Sequence, residues 1–523
     1  MPRTPSSKPS SLHSQLSGIA RSGALNMLGA AVAAVLNFGL IIVVTQAFEP
    51  ETAGMLFSAT SLFLIALSIS SLGTDAGLAR FLLRFKSLGR QPDMGPVVRI
   101  ARIPVLICSI LLALAGIGLA PSISSLAGLS DNNGTELIII LMVLLPIAAL
   151  GDFSLAAARA LGTFKSTVLS EKLLRPVLQP VGAIFVALAG GGVLWLAVSW
   201  AVPFLISATL SIVLFHRLFR PFQQNFSNSV STPLPKLRRE FWTFTWPRGL
   251  ARISQTVIQR IDIILVAALI GPAEAAIYTA ATRFVALGQF GVNAIQQVLQ
   301  PRFSQLLAVD NLVTTERVFK VATSWNMAVA WPLYVIVIIG VNHYLMIFGD
   351  GYDNFAARTV VVVMGLAMMF ATAAGPLDTM LLMAGKSTTS LWISLTGLAL
   401  NIVLCLLLIP PFGIPGAALA WAAAIAVRNS LTFVSVRRLL GFTPWSKGAL
   451  LVSFSAVVSF AIPLAPVALS RTDSLLLFFL AFSVGCIFYV SLLWLWRRPL
   501  ELASFKDLKP RMSPQAKQGE PLT

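Results

Sequence analysis

Arg260 and Asp262 stand inside SQTVIQRIDIILVAALIG, residues 254–271, a stretch otherwise apolar enough for lipid. A charge at the centre of a bilayer costs at least about 2.5–3.5 kcal/mol, so the two need a polar compartment or a partner. Polar neighbours recur at helical spacing. At about 100° per residue, Arg248, Arg252, Gln255, Gln259 and Asp262 fall within an arc of about 80°. A helix that leaves the membrane near Ile270 would hold Arg260 and Asp262 near mid-depth and Arg248 near the inner surface. The next apolar run repeats the pattern: Tyr278, Thr282, Gln289, Asn293, Gln296 and Gln300 share an arc of about 60°, and Arg283 lies near mid-depth. Earlier in the chain Ser61, Ser68, Ser71 and Asp75 make a weaker stripe, with Arg80 beyond it.

Two chemistries could use these residues. The simpler is a structural ion pair of Asp262 with Arg283, but it leaves Arg260, Arg252 and the glutamines without a task. A water-filled cavity with positive walls uses them all, and guanidinium groups there would select an anion such as a phosphate, which they can grip through two hydrogen bonds at once. Asp152, Asp378 and Arg428 stand alone and read as helix-packing or interfacial groups. His13, His216 and His343 are scattered and Cys108, Cys405 and Cys486 all lie in apolar runs, so neither a metal site, a cofactor nor a disulfide is expected. The sequence has no phosphate-binding P-loop, which excludes ATP hydrolysis by that motif as the driving force.

The elements that must position these residues follow from hydropathy. Of 523 residues, 56% are hydrophobic and 11% charged, and the mean hydropathy is +0.83, which points to an integral membrane protein. Apolar runs of about 20 residues, enough to span, recur between Ala24 and Trp496, and about fourteen are read, including 166–189, 241–270 and 274–299. Residues 1–21 read as a basic tail rather than a cleavable signal peptide. A net charge of +18 would suit nucleic acid, but its distribution follows topology instead. One set of loops carries Glu49, Glu51, Asp131, Glu136, Glu274, Asp350, Asp353 and Asp473 against Arg358 and Arg471, while nearly all other Lys and Arg lie on the opposite side. The positive-inside rule then places both termini in the cytoplasm.

The basic Pro/Ser-containing segment 217–240 reads as a linker between two halves. The halves read as repeats: FEPETAGMLFSATSL (48–62) aligns with IGPAEAAIYTAATRF (270–284), and GVLWLAVSWA (192–201) with GIPGAALAWA (413–422), at nearly the same offset. The expected fold is therefore all-α, with a six-helix bundle over 22–216, a second over 241–438 related by an axis along the membrane normal, two extra helices over 448–496 and a tail over 497–523. Outer loops are short, most under about 15 residues, and leave no room for an external catalytic domain. That counts against a membrane glycosyltransferase or polymerase, even though "EPE" (49–51) could pass for an acidic motif.

The fourteen runs, the repeat, SLGTDAGLARFLLRF (71–85) and above all AIYTAATRFVALGQFGVNAIQQVLQPRFSQLL (276–307) resemble the polysaccharide repeat-unit flippases of the multidrug/oligosaccharidyl-lipid/polysaccharide (MOP) exporter superfamily. The resemblance implies two six-helix bundles that alternate between inward- and outward-open states. It also implies a substrate, an undecaprenyl-diphosphate-linked oligosaccharide moved to the outer leaflet of the bacterial inner membrane, and polysaccharide polymerase and export proteins as partners. The cavity walls would be spans 1, 2, 7 and 8, which makes Arg80, Arg248, Arg252, Arg260 and Arg283 the candidates for the diphosphate. Gln255, Gln259, Gln289, Asn293 and Gln296 would line the path, and Asp262 and Asp75 would couple or orient. The peptidoglycan-precursor flippases of the superfamily also carry arginines on span 1. Here that span has only Arg21 at its start and Asn37 within, which sets the chain apart from them. A cation-coupled multidrug antiporter of the same superfamily is the alternative, opposed by the net-positive walls.

Overall fold

The computed structural model describes residues 12–129, 132–163, 165–224, 233–470 and 474–497. Expectations for residues 1–11, the linker segment 225–232 and the tail from 498 fall outside them. The described residues are helical, with no strand among them. In chain order the helices are α1 (Leu12–Ala47), α2 (Pro50–Ser70), α3 (Thr74–Ser87), α4 (Met94–Gly118), α5 (Ala120–Leu126), α6 (Asn132–Ala160), α7 (Lys165–Thr167), α8 (Arg175–Leu188), α9 (Val193–Gln224), α10 (Leu234–Ile258) and α11 (Ile261–Ile270). They continue as α12 (Pro272–Thr282), α13 (Phe284–Ala308), α14 (Leu312–Ile339), α15 (Val341–Met346), α16 (Phe355–Ala373), α17 (Leu377–Met383), α18 (Ser387–Phe412), α19 (Ile414–Leu440), α20 (Lys447–Leu469) and α21 (Leu475–Leu495).

Among the described residues, eleven helical segments are long and apolar enough to cross a membrane, or twelve if α10 and α11, which meet at a 43° bend, form one span. Fourteen is not reached because two of the apolar runs are not continuous apolar helices. Run 166–189 opens with a π-helical segment, Val168–Leu174, that carries Glu171 and Lys172. Its looser winding leaves the Ser170 carbonyl to accept from the Ser207 hydroxyl at 2.9 Å. Run 274–299 is interrupted at Arg283, which leaves an 11-residue α12 and an amide-rich α13.

The chain forms two compact units. The first comprises Met1–Phe290, Val341–Ala367 and Ser387–Leu431; the second comprises Gly291–Gly340, Met368–Lys386 and Thr432–Thr523. In the first, α2 is buried along most of its length through Ala53, Gly54, Ser58, Ala59 and Ser61, small residues that let neighbouring backbones approach, as at membrane helix interfaces. A Cβ at Gly54 would overlap the Pro272 carbonyl, so α2 and α12, which both begin with proline at the first helical turn, touch backbone to backbone. These are the two segments that align as repeats in the sequence. Further along α2, Phe63 is fully buried and meets Trp200 and Phe204 edge-on at 5.6 and 5.5 Å between centroids.

In the second unit, Val335, Ala456, Phe460, Leu464 and Tyr489 form an apolar core. Two polar groups beside it bond within the unit: the Trp331 indole donates to Thr372 Oγ1 at 3.0 Å and the Tyr489 hydroxyl to the Ala328 carbonyl at 2.8 Å.

Candidate functional site

Two short helices, α11 of 10 residues and α12 of 11, join at Gly271, whose φ of 114° favours glycine. At about 1.5 Å per residue each is roughly 15 Å long, about half the hydrocarbon thickness of a bilayer. Arg260 and Arg283 are the residues at their inner ends. Arg260 leaves helical geometry, at φ −131° and ψ −23°, and its amide bonds back only three residues, to Val257 at 3.0 Å. The Arg283 amide likewise bonds Ala280 at 3.3 Å. Tyr344 pins this second interruption: its hydroxyl donates to the Ala280 carbonyl at 2.8 Å and accepts from the Phe284 amide at 3.2 Å.

The break at Arg260 gives α11 an N-terminus of its own, and Asp262 lies in its first turn. A carboxylate complements the positive end of a helix. Asp262 is buried, at 5% exposure, and the Tyr278 hydroxyl donates to its Oδ2 at 2.9 Å. Its Oδ1 has no hydrogen-bond partner, and neither has the enclosed Nε of Arg283. The Arg260 guanidinium lies within electrostatic reach of both Asp262 and Arg283. No ion pair joins Asp262 to Arg283 among the described residues, so the simpler structural pairing is not formed.

A cavity of about 200 Å³ lies beside this region, lined by residues of α2, α3, α6, the π-helical segment and α10, with Arg260 at its edge. It holds the carboxylates of Asp75, Asp152 and Glu171 and the guanidinium groups of Arg159, Arg252 and Arg260. Asp75 of α3 pairs with Arg252 of α10, Arg159 with Glu171 at 3.3 Å, and Arg175 approaches Asp152 at 3.9 Å.

Helices α3 and α10 pack closely because glycines face across them. A Cβ at Gly73 would collide with Gly249, and one at Gly77 with Thr245 and Phe241. This proximity brings two arginines of different helices onto one ring: Arg80 Cζ lies 4.1 Å and Arg248 Cζ 3.7 Å from the centroid of Phe244. Among the described residues neither arginine has a carboxylate within ion-pair distance. Arg248 also donates to the Phe244 carbonyl at 3.1 Å.

Of the sequence-predicted residues, Asp75, Arg252, Gln259 and Arg260 line the cavity, while Arg80 and Arg248 converge on Phe244 and Gln255 is exposed on the same helix. The wet stripe holds from Arg248 to Gln259 and fails at Asp262, because the bend rotates α11 and turns that side chain inward. Tyr278, placed on the second stripe, is buried against Asp262 for the same reason. Gln289 is half-buried in the first unit. Asn293 and Gln296 fall in the second unit, where Gln296 Oε1 accepts from Thr379 at 3.2 Å. Sequence reading passed over Arg159 and Glu171 and took Asp152 for an isolated packing group. The signal was available, since Asp152 and Arg159 are seven residues apart and share a helix face.

Comparison with known proteins agrees with this architecture. Among curated proteins none matches the chain. The sequence profile of the family described as "Polysaccharide biosynthesis protein" matches residues 19–307, more than half of the chain, and that of the MatE family matches residues 247–407. The fold is similar to that of the lipid II flippase MurJ in its inward closed conformation, at 14% identity and a TM-score of 0.71 over 91% of this chain and 99% of that one. It is also similar to an inward-facing multidrug resistance MATE family transporter of the MOP superfamily, at 17% identity and a TM-score of 0.57 over 80% and 98%. A third likeness is to a MOP superfamily transporter from Pyrococcus furiosus described by a binding pocket of reverse polarity, at 15% identity and a TM-score of 0.55 over 81% and 95%. At these identities the likeness is one of fold. With a multi-pass helical fold of the MOP type and a profile match across its first half and beyond, the chain belongs to the polysaccharide biosynthesis protein family.

Proposed function

We propose that this protein is a transporter, not an enzyme, that flips an undecaprenyl-diphosphate-linked oligosaccharide from the cytoplasmic to the outer leaflet of the inner membrane. Bundles 22–216 and 241–438 alternate in access around the cavity, and both termini face the cytoplasm. One observation carries the reading: α11 and α12, of 10 and 11 residues, are interrupted at their ends away from Gly271 by Arg260 and Arg283, and among the described residues neither arginine has a carboxylate within ion-pair distance. Guanidinium groups so placed can grip a diphosphate, which is common to many lipid-linked sugars, while the lipid tail remains in the bilayer. Arg80 and Arg248 on Phe244, together with Arg252, supply further positive charge along α3 and α10. Gln259 lines the cavity beside Arg260, and Gln255 lies exposed on the same helix. Asp262 fixes the start of α11, and Asp75 occupies Arg252 until substrate displaces it. The profile match and the fold likeness to a lipid II flippase support a lipid-linked substrate.

The match to the MatE profile favours a second reading, a multidrug antiporter. Its cationic substrates would meet unneutralised arginines, so this reading fits the site less well. An Arg260→Ala, Arg283→Ala double variant separates the two. Each desolvated, charge-assisted contact is worth about 1.5–3 kcal/mol, so lipid-linked oligosaccharide flipping in proteoliposomes should fall at least about a hundredfold with protein yield unchanged. Normal flipping by that variant would end the proposal, and drug efflux by the wild-type protein would favour the antiporter.

A further inference from the structure

The cavity wall is segregated along the chain. All its carboxylates, Asp75, Asp152 and Glu171, come from the first half together with Arg159, whereas α10 and the two residues after it contribute Arg252, Thr256, Gln259 and Arg260 and no acid. Asp75 is taken up by Arg252. Asp152 and Glu171 are paired as well, each through one contact. Each meets a single guanidinium nitrogen, at 3.9 and 3.3 Å, and their side chains remain 35% and 42% exposed. A carboxylate has about four acceptor positions, so most of theirs stay open to the cavity. Ser68 lines the same space, is 8% exposed, and its hydroxyl has no partner. A buried hydroxyl normally has one, so this position carries an unmet hydrogen bond.

Open carboxylate acceptors beside an unsatisfied hydroxyl suit a ligand rich in hydroxyl donors, and a volume of about 200 Å³ suits one ring rather than a whole repeat unit. We infer that the first-half wall receives the sugar attached directly to the diphosphate, and that Asp152 and Glu171 select a neutral sugar there over an acidic one. The inference rests on the flippase reading: arginines of the second half hold the diphosphate, and the ring next to it falls against the opposite wall. A neutral ring donates hydroxyl protons to the two carboxylates. A uronate brings a further negative charge to a wall whose guanidinium groups are already engaged, Arg159 by Glu171 and Arg175 by Asp152, so it meets carboxylates there without a free cation to offset them.

The test compares two probes in proteoliposomes of the purified full chain, undecaprenyl diphosphate carrying either glucose or glucuronate. The glucose lipid should flip at least about tenfold faster, a difference that like-charge repulsion readily supplies. Equal rates, or a faster glucuronate lipid, would overturn the selectivity while leaving flipping intact; movement of neither would remove the flippase reading as well. Asp152→Asn and Glu171→Gln, each checked for a single monodisperse species, should raise the rate of the glucuronate lipid and bring the ratio toward one. A damaged protein cannot show such a gain. An unchanged ratio in both variants would assign selectivity elsewhere and refute the inference.

Discussion

The two halves of the chain bring charge to the same region in opposite ways. In the first half the charges are tied to one another, Arg159 to Glu171 and Arg175 to Asp152, and the Arg175 guanidinium also rests on the Phe204 ring at 3.6 Å. In the second half Arg260 and Arg283 have no carboxylate within ion-pair distance among the described residues, and their positions are set by backbone, at the interrupted ends of α11 and α12. Paired charges fix helices to one another, even where part of the carboxylate stays exposed as at Asp152 and Glu171. Unpaired ones held by a rigid break are available to something else, at a cost in stability that the fold accepts.

That contrast predicts opposite signs for stability and activity, and the largest effect is expected at Arg283. Arg283→Met keeps the length and apolar stem of the side chain but removes a guanidinium whose Nε is enclosed and unpartnered. Replacing an uncompensated charge by an apolar group of similar volume is neutral or stabilising, so unfolding in detergent should occur at the same or a higher temperature, by up to about 1 kcal/mol. Flipping should nevertheless fall by about one to two orders of magnitude, the loss of one charge-assisted contact to the diphosphate. A variant that is both less stable and fully active would reverse the assignment of this half.

Tyr278→Phe probes the one partner that the second half does supply, and its effect is expected on stability. Among the described residues its hydroxyl is the one side-chain hydrogen-bond donor to the buried Asp262 carboxylate. Removing it strands the carboxylate and should cost about 1–3 kcal/mol, seen as a lower denaturation midpoint. Loss of activity without loss of stability would instead make the Tyr278–Asp262 bond part of the transport step.

The sequence was most informative where periodicity and apolar length suffice. Helical content, the membrane-spanning class, and the exposure of the polar stripe Arg248, Arg252, Gln255 and Gln259 are all legible, because each depends on spacing within one helix. The breaks at Arg260 and Arg283 were not. Neither carries a proline or glycine at the interruption, and what holds them open is tertiary: Tyr344 bonding across the α12–α13 junction, and Tyr278 holding Asp262 at the start of α11. The wheel drawn through an unbroken helix therefore misplaced Asp262. The carboxylate wall was missed for a related reason, since Asp152 and Glu171 come from different helices and only the packing of α6 against its neighbours makes them a pair.

The smallest expected effect would sharpen the comparison at Phe244, where like charges of α3 and α10 are held together without a carboxylate. Arg80 and Arg248 each lie about 4 Å from its ring centroid, so the ring offsets part of their mutual repulsion and holds both guanidinium groups beside each other. A cation–π contact at such an exposed site is worth about 0.5–1 kcal/mol. Phe244→Leu should therefore raise the lipid concentration for half-maximal flipping about two- to fivefold and leave the maximal rate unchanged, because the ring positions the arginines and does not touch the substrate. Phe244→Trp, with a better cation-binding face, should restore it. If the ring acts only by filling space beside Phe81, whose centroid is 6.2 Å away, Leu and Trp should both lower the denaturation midpoint and neither should shift the half-maximal concentration. An Arg80→Ala, Arg248→Ala cycle decides between the two. Coupling between the arginines beyond about 0.5 kcal/mol that disappears in the Phe244→Leu background marks the ring as their common support, whereas additive losses in both backgrounds leave it a packing residue.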